Sequence, residues 1–143
     1  MLTKLTIRNF KRFGNVEIEL GNPVVFIGPN DSGKTTALQA LALWHIGLRK
    51  WNEKRADKET PEKRPGVTIN RRDLIAVPVT DANLLWRNLH VRETRVVNGR
   101  RDTQNVRVDI IVEGVSEGKN WTCGFEFGYA NEESFYCRPL RLS

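Results

Sequence analysis

The sequence predicts an α/β fold in which a β-hairpin leads into a buried strand, a glycine-rich loop and one long helix, followed by an antiparallel β-meander. Three patterns predict it. Two short runs within the first twenty residues alternate apolar and polar. Residues 24–27 are uniformly apolar and precede the loop and an apolar helical stretch. From residue 67 onward the sequence returns to a period of two. Residues 1–143 are expected to form a single unit or part of one. Within it lie an N-terminal hairpin, loop and helix (1–48), a charged loop (49–66) and a mainly antiparallel β region (67–143). A chain of this length buries roughly 68–70% of its unfolded surface.

Leu2-Thr3-Lys4-Leu5-Thr6-Ile7-Arg8 places its apolar residues on one face of a strand, and Val16-Glu17-Ile18-Glu19-Leu20 does the same. Residues 9–15 between them, including Phe10, Lys11, Arg12, Phe13 and Gly14, read as a turn. Gly21-Asn22-Pro23 is a second turn. Val24-Val25-Phe26-Ile27 has no polar face, as in a strand covered on both sides.

A helix is predicted from about residue 35 to about residue 55. Ala37, Leu38, Ala40, Leu41, Leu43, Trp44, Ile46 and Leu48 leave hardly any polar face, so its first three turns are expected to be buried. From Arg49 to Gly66 charge is dense and Pro61 and Pro65 intervene, which gives an exposed loop.

Short strands follow at residues 67–69 and 74–79, with Pro78 pushing the second to a sheet edge. Residues 81–89, carrying Leu84, Leu85 and Trp86, read as a short helix. Val96-Val97-Asn98-Gly99 is a hairpin turn, since Asn-Gly tolerates the positive φ of a type I′ turn. Val106, Val108, Ile110 and Val112 share one strand face, opposite Arg107, Asp109 and Glu113. Trp121, Cys123, Phe125 and Phe127 repeat the pattern, and Phe135, Cys137 and Pro139 begin it again.

Hydrophobic residues make up 39% and charged residues 28%, which suits a soluble globular protein. The 23 Lys and Arg against 17 Asp and Glu give +6, a surplus that favours anionic partners such as nucleotide or nucleic acid. A basic solvated surface gives the same number. No secretory signal or membrane span is expected. The apolar-rich run at residues 37–48 is interrupted by Gln39 and His45 and falls short of the ~20 residues a span needs. The expected location is cytoplasmic.

Cys123 and Cys137 lack metal or redox spacing and fall on strands, where they are expected to be small core thiols, a disulfide between them being the lesser reading. His45 and His90 are isolated, so both receive a structural reading.

One motif carries chemistry. Gly28-Pro29-Asn30-Asp31-Ser32-Gly33-Lys34-Thr35 fits G-x-x-x-x-G-K-[ST] at every fixed position. Glycines at both ends let the backbone turn so that successive N–H groups point at phosphate oxygens. The helix that follows presents its unpaired N–H groups and positive dipole end to the same anion. Lys34 is placed to reach the β- and γ-phosphates as a point charge, which makes it the candidate catalytic residue. The Thr35 hydroxyl is placed to ligate Mg²⁺. A random chain of this length would match with odds of roughly one in two hundred, and the strand-before, helix-after context sharpens the match. The ligand read from it is a nucleoside triphosphate, ATP with Mg²⁺.

Two stretches also resemble a known family. Leu5-Thr6-Ile7-Arg8-Asn9-Phe10-Lys11-Arg12-Phe13 resembles the opening strand of ABC-superfamily ATPase heads of the SMC/RecF branch and of the overcoming-lysogenization-defect (OLD) nucleases. Phe26 to Thr36 resembles that branch's phosphate loop, with Asn30 at its usual place and Thr35 and Thr36 after the lysine. The resemblance covers about a third of the chain. It implies the N-terminal lobe of such a P-loop head, in which Asn30, Asp31, Ser32, Gly33, Lys34, Thr35 and Thr36 surround the phosphates. It also implies that Lys11 or Arg12 approaches nucleotide or DNA. On composition alone those two are solvated turn residues.

Departures from the family limit the resemblance. Its members hydrolyse ATP with an apolar strand ending in Asp-Glu, a Ser-Gly-Gly signature from a partner head and a later switch histidine. The sequence contains no Ser-Gly-Gly and no strand ending in two acids. Residues 108–113 end in one acid but alternate like a surface hairpin, and residues 74–81 contain Pro78. Gln104 is a weak candidate for the glutamine that couples nucleotide to the helical arm. The resemblance therefore implies one lobe of a longer ATPase acting in DNA repair or defence against foreign DNA, with head-to-head homodimers when complete. Two other classes stay open. A complete small P-loop kinase or GTPase needs a second acidic Mg²⁺ site and an Asn-Lys-x-Asp stretch. A non-enzymatic nucleic-acid-binding module would use Arg71-Arg72, Arg100-Arg101 and tryptophans on phosphates and bases.

Overall fold

In the computed structural model, residues 1–11, 13–20, 34–55, 66–74 and 82–140 are described. Leu2–Phe10 (β1) and Phe13–Glu19 (β2) form an antiparallel hairpin. The pairing reaches Phe10↔Phe13, so the strands take in most of the segment that the sequence reads as a turn. Phe10 is fully buried, and that burial extends the strand past Arg8. β1 also pairs with Val108–Ser116 (β6), which pairs with Lys119–Asn131 (β7), then Ser134–Pro139 (β8), then Val67–Asn70 (β3). The result is a six-stranded antiparallel sheet in the order β2-β1-β6-β7-β8-β3.

The helix α1 spans Lys34–Arg55, so the first residues of the charge-dense 49–66 segment are helical. It lies on the sheet face that carries Leu5, Ile7, Ile110, Val112, Phe125, Phe127 and Cys137, and together they form one core. The helix crosses the sheet obliquely. Trp44 Nε1 donates to Cys123 O at 3.0 Å above β7, and Lys54 Nζ donates to Thr68 O at 3.1 Å above β3. Between these, Gly47 has no side chain, and a Cβ there would stand 3.1 Å from Phe127 Cζ.

The expectation that the first three turns of α1 are wholly buried is corrected. Ala37, Ala40, Leu43, Trp44 and Ile46 are buried, but Leu38 is 53% exposed and His45 is exposed. A single sheet beneath the helix covers a stripe at i, i+3, i+4 spacing and nothing more.

Residues 82–89 also differ from expectation. They form two 3-10 turns, Ala82–Leu85 and Arg87–Leu89, with Trp86 bridging to Phe10 between them. Asn88 and Leu89 have φ of 53° and 59°, which no α-helix accommodates. Trp86 is buried, with Nε1 donating to Val106 O at 2.6 Å and its ring edge-on to Tyr129 and Phe135.

Arg92–Val97 (β4) and Arg100–Asn105 (β5) form a separate two-stranded ribbon. Asn98 and Gly99 turn it with φ of 53° and 75°, as the Asn-Gly pair predicts. Val106 precedes β6 and is half-buried, as are Trp121 and Cys123. Both cysteines are free thiols. The strands expected at residues 24–27 and over most of 74–79 lie outside the described residues.

The opposite sheet face is a charged layer. Lys4 stands 3.4 Å from Glu17 and 3.7 Å from Glu113, and Arg8 stands 3.4 Å from Asp109. Glu126 is buried between Arg107, at 2.7 Å, and Arg138. No helix among the described residues is long and apolar enough to cross a membrane.

Candidate nucleotide site

Lys34 is the first residue of α1, with Thr35 exposed and Thr36 half-buried in the same first turn. The turn contains no acidic residue. A helix start leaves four backbone N–H groups without intrahelical partners and carries about half a positive charge. Arg12, Gly28, Pro29, Asn30, Asp31, Ser32 and Gly33 lie outside the described residues, as does the side chain of Lys34.

Lys11 is brought to α1. It takes a left-handed φ of 50°, and its backbone N–H donates to Leu85 O at 3.0 Å, which fixes the β1–β2 turn against the 3-10 segment. Its Nζ donates to Gln39 Oε1 at 2.7 Å and lies 5.8 Å from the centre of the Phe10 ring. Gln39 follows Thr35 by four positions, so the two share a helix face with Cβ atoms roughly 5–6 Å apart. A lysine ammonium therefore stands one turn from the start of α1.

Burial lowers the pKa of Lys11 from its ordinary 10.5. Its partner here is a neutral amide oxygen, so the desolvated charge would gain from a nearby anion. The described residues fit a polyphosphate: a helix start, two hydroxyls, no carboxylate in the first turn of the helix and a half-buried cation. Sequence reading treated Gln39 only as a polar interruption of an apolar run. Its position four residues after Thr35 was the available signal.

Of the two stretches that imitate a catalytic acidic strand, residues 108–113 do not reach this site. Asp109 and Glu113 sit on β6, on the sheet face away from α1, paired with Arg8 and Lys4. Desolvation raises the Asp109 pKa, and Arg8 opposes that shift. Of residues 74–81 only Leu74 is described, and it is buried. Gln104 lies on the β4–β5 ribbon, where its Nε2 donates to Asp102 at 3.2 Å. Arg71 is ion-paired with Glu133 at 2.9 Å. His45 and His90 are exposed, and no group of three His, Cys, Asp or Glu among the described residues could hold a metal.

Residues 1–71 match the family described as the AAA ATPase domain. Over this segment the chain is similar to ATPase heads of the SMC/RecF type, as the opening strand and phosphate loop lead one to expect. The chain is 40% identical over 57 residues to the DNA replication and repair protein RecF of Rickettsia felis, a match covering 39% of this chain and 16% of the relative. RecF of Rickettsia canadensis is 39% identical over the same length and the same shares of each chain. RecF of Rickettsia rickettsii is 40% identical over 47 residues, 32% of this chain and 13% of the relative. The match thus takes in about a sixth of the relatives' length.

Proposed function

We propose that this chain is the Mg²⁺–ATP-binding N-terminal lobe of an SMC/RecF/OLD-like P-loop ATPase that acts in DNA repair or in defence against foreign DNA. The observation that carries the reading is the complete G-x-x-x-x-G-K-[ST] sequence ending on the first two residues of α1. Gly28, Pro29, Asn30, Asp31, Ser32 and Gly33 supply backbone N–H groups, and α1 adds those of its first turn. Lys34 holds the β- and γ-phosphates, the Thr35 hydroxyl holds the metal, and Thr36 closes the loop. Lys11 and Arg12, at the β1–β2 turn, add positive charge beside the helix start. Bound Mg²⁺ supplies neutralisation of the phosphate charge.

Hydrolysis needs an acid and a signature loop that this sequence does not contain, so the chain alone binds ATP and turns it over slowly or not at all. In the whole protein, nucleotide closes two heads on one another in the cytosol, and hydrolysis releases them. DNA is the macromolecular partner of that assembly, in keeping with the relatives' being DNA replication and repair proteins.

Isothermal calorimetry with Mg²⁺ and millimolar ATP tests the reading. Binding heat is expected for the parent chain and none for Lys34→Ala, with identical far-UV circular dichroism. A folded parent chain that gives no heat overturns it. Competition with GTP distinguishes this reading from a small GTPase, since GTP displacing ATP at equal concentration would favour the latter.

A further inference from the structure

The β4–β5 ribbon does no work for the core. Val96 is 72% exposed and Val97 53% exposed, and Arg100 and Arg101 are exposed without an ion pair among the described residues. The one described carboxylate nearby, Asp102, accepts from Gln104. The register pairs Val97 with Arg100 and Val96 with Arg101. Residues directly opposite on an antiparallel pair share a face, and the next pair shares the other. Each face of the ribbon tip therefore presents one valine beside one arginine. Over residues 92–105 four arginines stand against Glu93 and Asp102.

The root of the ribbon is braced. Val106 N–H donates to Val91 O at 2.9 Å, Trp86 Nε1 to Val106 O at 2.6 Å, and the Arg92 guanidinium lies 5.4 Å from the centre of the Tyr129 ring. The Thr94 and Thr103 hydroxyls are 3.1 Å apart across the strands. Six-residue strands reach roughly 20 Å, and paired strands lie about 5 Å apart. A major groove about 12 Å wide and 8.5 Å deep admits such a ribbon.

We propose that the β4–β5 ribbon enters the major groove of duplex DNA tip-first, with Arg100 and Arg101 each on the phosphates of one groove wall. A ribbon standing in a groove turns one face to each wall, and here each face carries its own cation. Val96 and Val97 then lie against base edges instead of water. The choice of DNA rests on the repair or defence reading above, whereas the surface is separate from the nucleotide site.

Fluorescence anisotropy of the full 143-residue chain with a labelled duplex and with one of its single strands tests this. The duplex is expected to bind tighter than the single strand. Arg100→Ala/Arg101→Ala is expected to weaken duplex binding at least tenfold and to lower the salt slope by about two. The double Glu variant is expected to weaken it further.

An Ala variant within twofold of the parent overturns the proposal, as does a single strand bound as tightly as the duplex. Sedimentation supplies a third such outcome, if Val96→Lys/Val97→Lys dissolves a self-associated chain without changing DNA affinity. The tip would then serve a second copy of the chain. ATP heat, measured on the same samples, reports the nucleotide reading independently, so either can fail alone.

Discussion

Glu126 and Cys137 show what burial does to single polar groups in this sheet. Glu126, 9% exposed, accepts hydrogen bonds from Arg107 and Arg138, so its carboxylate balances two guanidinium groups. Glu126→Ala leaves two like charges facing one another. Because both arginines keep partial access to water, the cost is set below that of a fully buried pair, at about 1–3 kcal/mol. Urea denaturation should show it, and Glu126→Gln, which keeps the shape and one acceptor, should recover part of the loss. Cys137 lies beneath α1, 3.8 Å from Gly47 O, and burial pushes its thiol from 9.0 up to about 12. Its thiolate is absent at neutral pH, so Ellman's reagent at pH 8 should reach it only after unfolding. The sign of the pH effect follows. The folded thiol holds its proton while the unfolded thiol loses it, so this contribution to stability is complete below pH 9 and declines toward pH 12, by about 1.4 kcal/mol per unit at most. Cys137→Ala should flatten that decline.

At the scale of elements, α1 and the sheet depend on close approach at Gly47. Gly47→Val places branched carbons into Phe127 and Cys137, and overpacking of this kind costs about 1–3 kcal/mol. Thermal unfolding should detect the lowered midpoint. Leu38→Ser, on the uncovered face of the same helix, should stay within about 0.5 kcal/mol. The two substitutions separate what the sequence reveals from what it conceals. Leu5, Ile7, Ile110, Val112, Phe125 and Phe127 were legible as strand interiors because each strand has one face on α1, and period two records that directly. The uncovered stripe of α1 was not legible, because residues 37–48 are apolar nearly all round and only the tertiary neighbours decide which side is buried. Strand order was equally hidden: β1 pairs with β6 across about a hundred residues, and β3 returns to the edge beside β8. Residues 82–89 look helical by apolar density, yet the tie of Trp86 to Phe10 and the left-handed Asn88 and Leu89 override it. The contiguous phosphate motif could be read in full. The Lys11–Gln39 contact could not, since it joins positions far apart in sequence.

For the whole molecule, nucleotide should act as a structural ligand. A site that binds the folded state alone stabilises it by RT ln(1 + [L]/Kd), about 2.7 kcal/mol at one hundred times Kd. For a domain of this size that corresponds to a rise in Tm of roughly 5–10 °C. The rise should require Mg²⁺, disappear in Lys34→Ala and shrink in Lys11→Met, because removing the half-buried ammonium leaves Gln39 without its donor and the helix start with less positive charge. The Lys11 variant also separates two roles for that residue. If Lys11 only braces the β1–β2 turn, Lys11→Met lowers Tm equally with and without nucleotide, and the ATP-induced rise is unchanged. If Lys11 also answers the phosphates, the rise itself falls. Differential scanning fluorimetry across an ATP titration measures both quantities in one experiment, and a parent chain whose midpoint ignores Mg²⁺–ATP at every concentration would remove nucleotide from the stability of this fold.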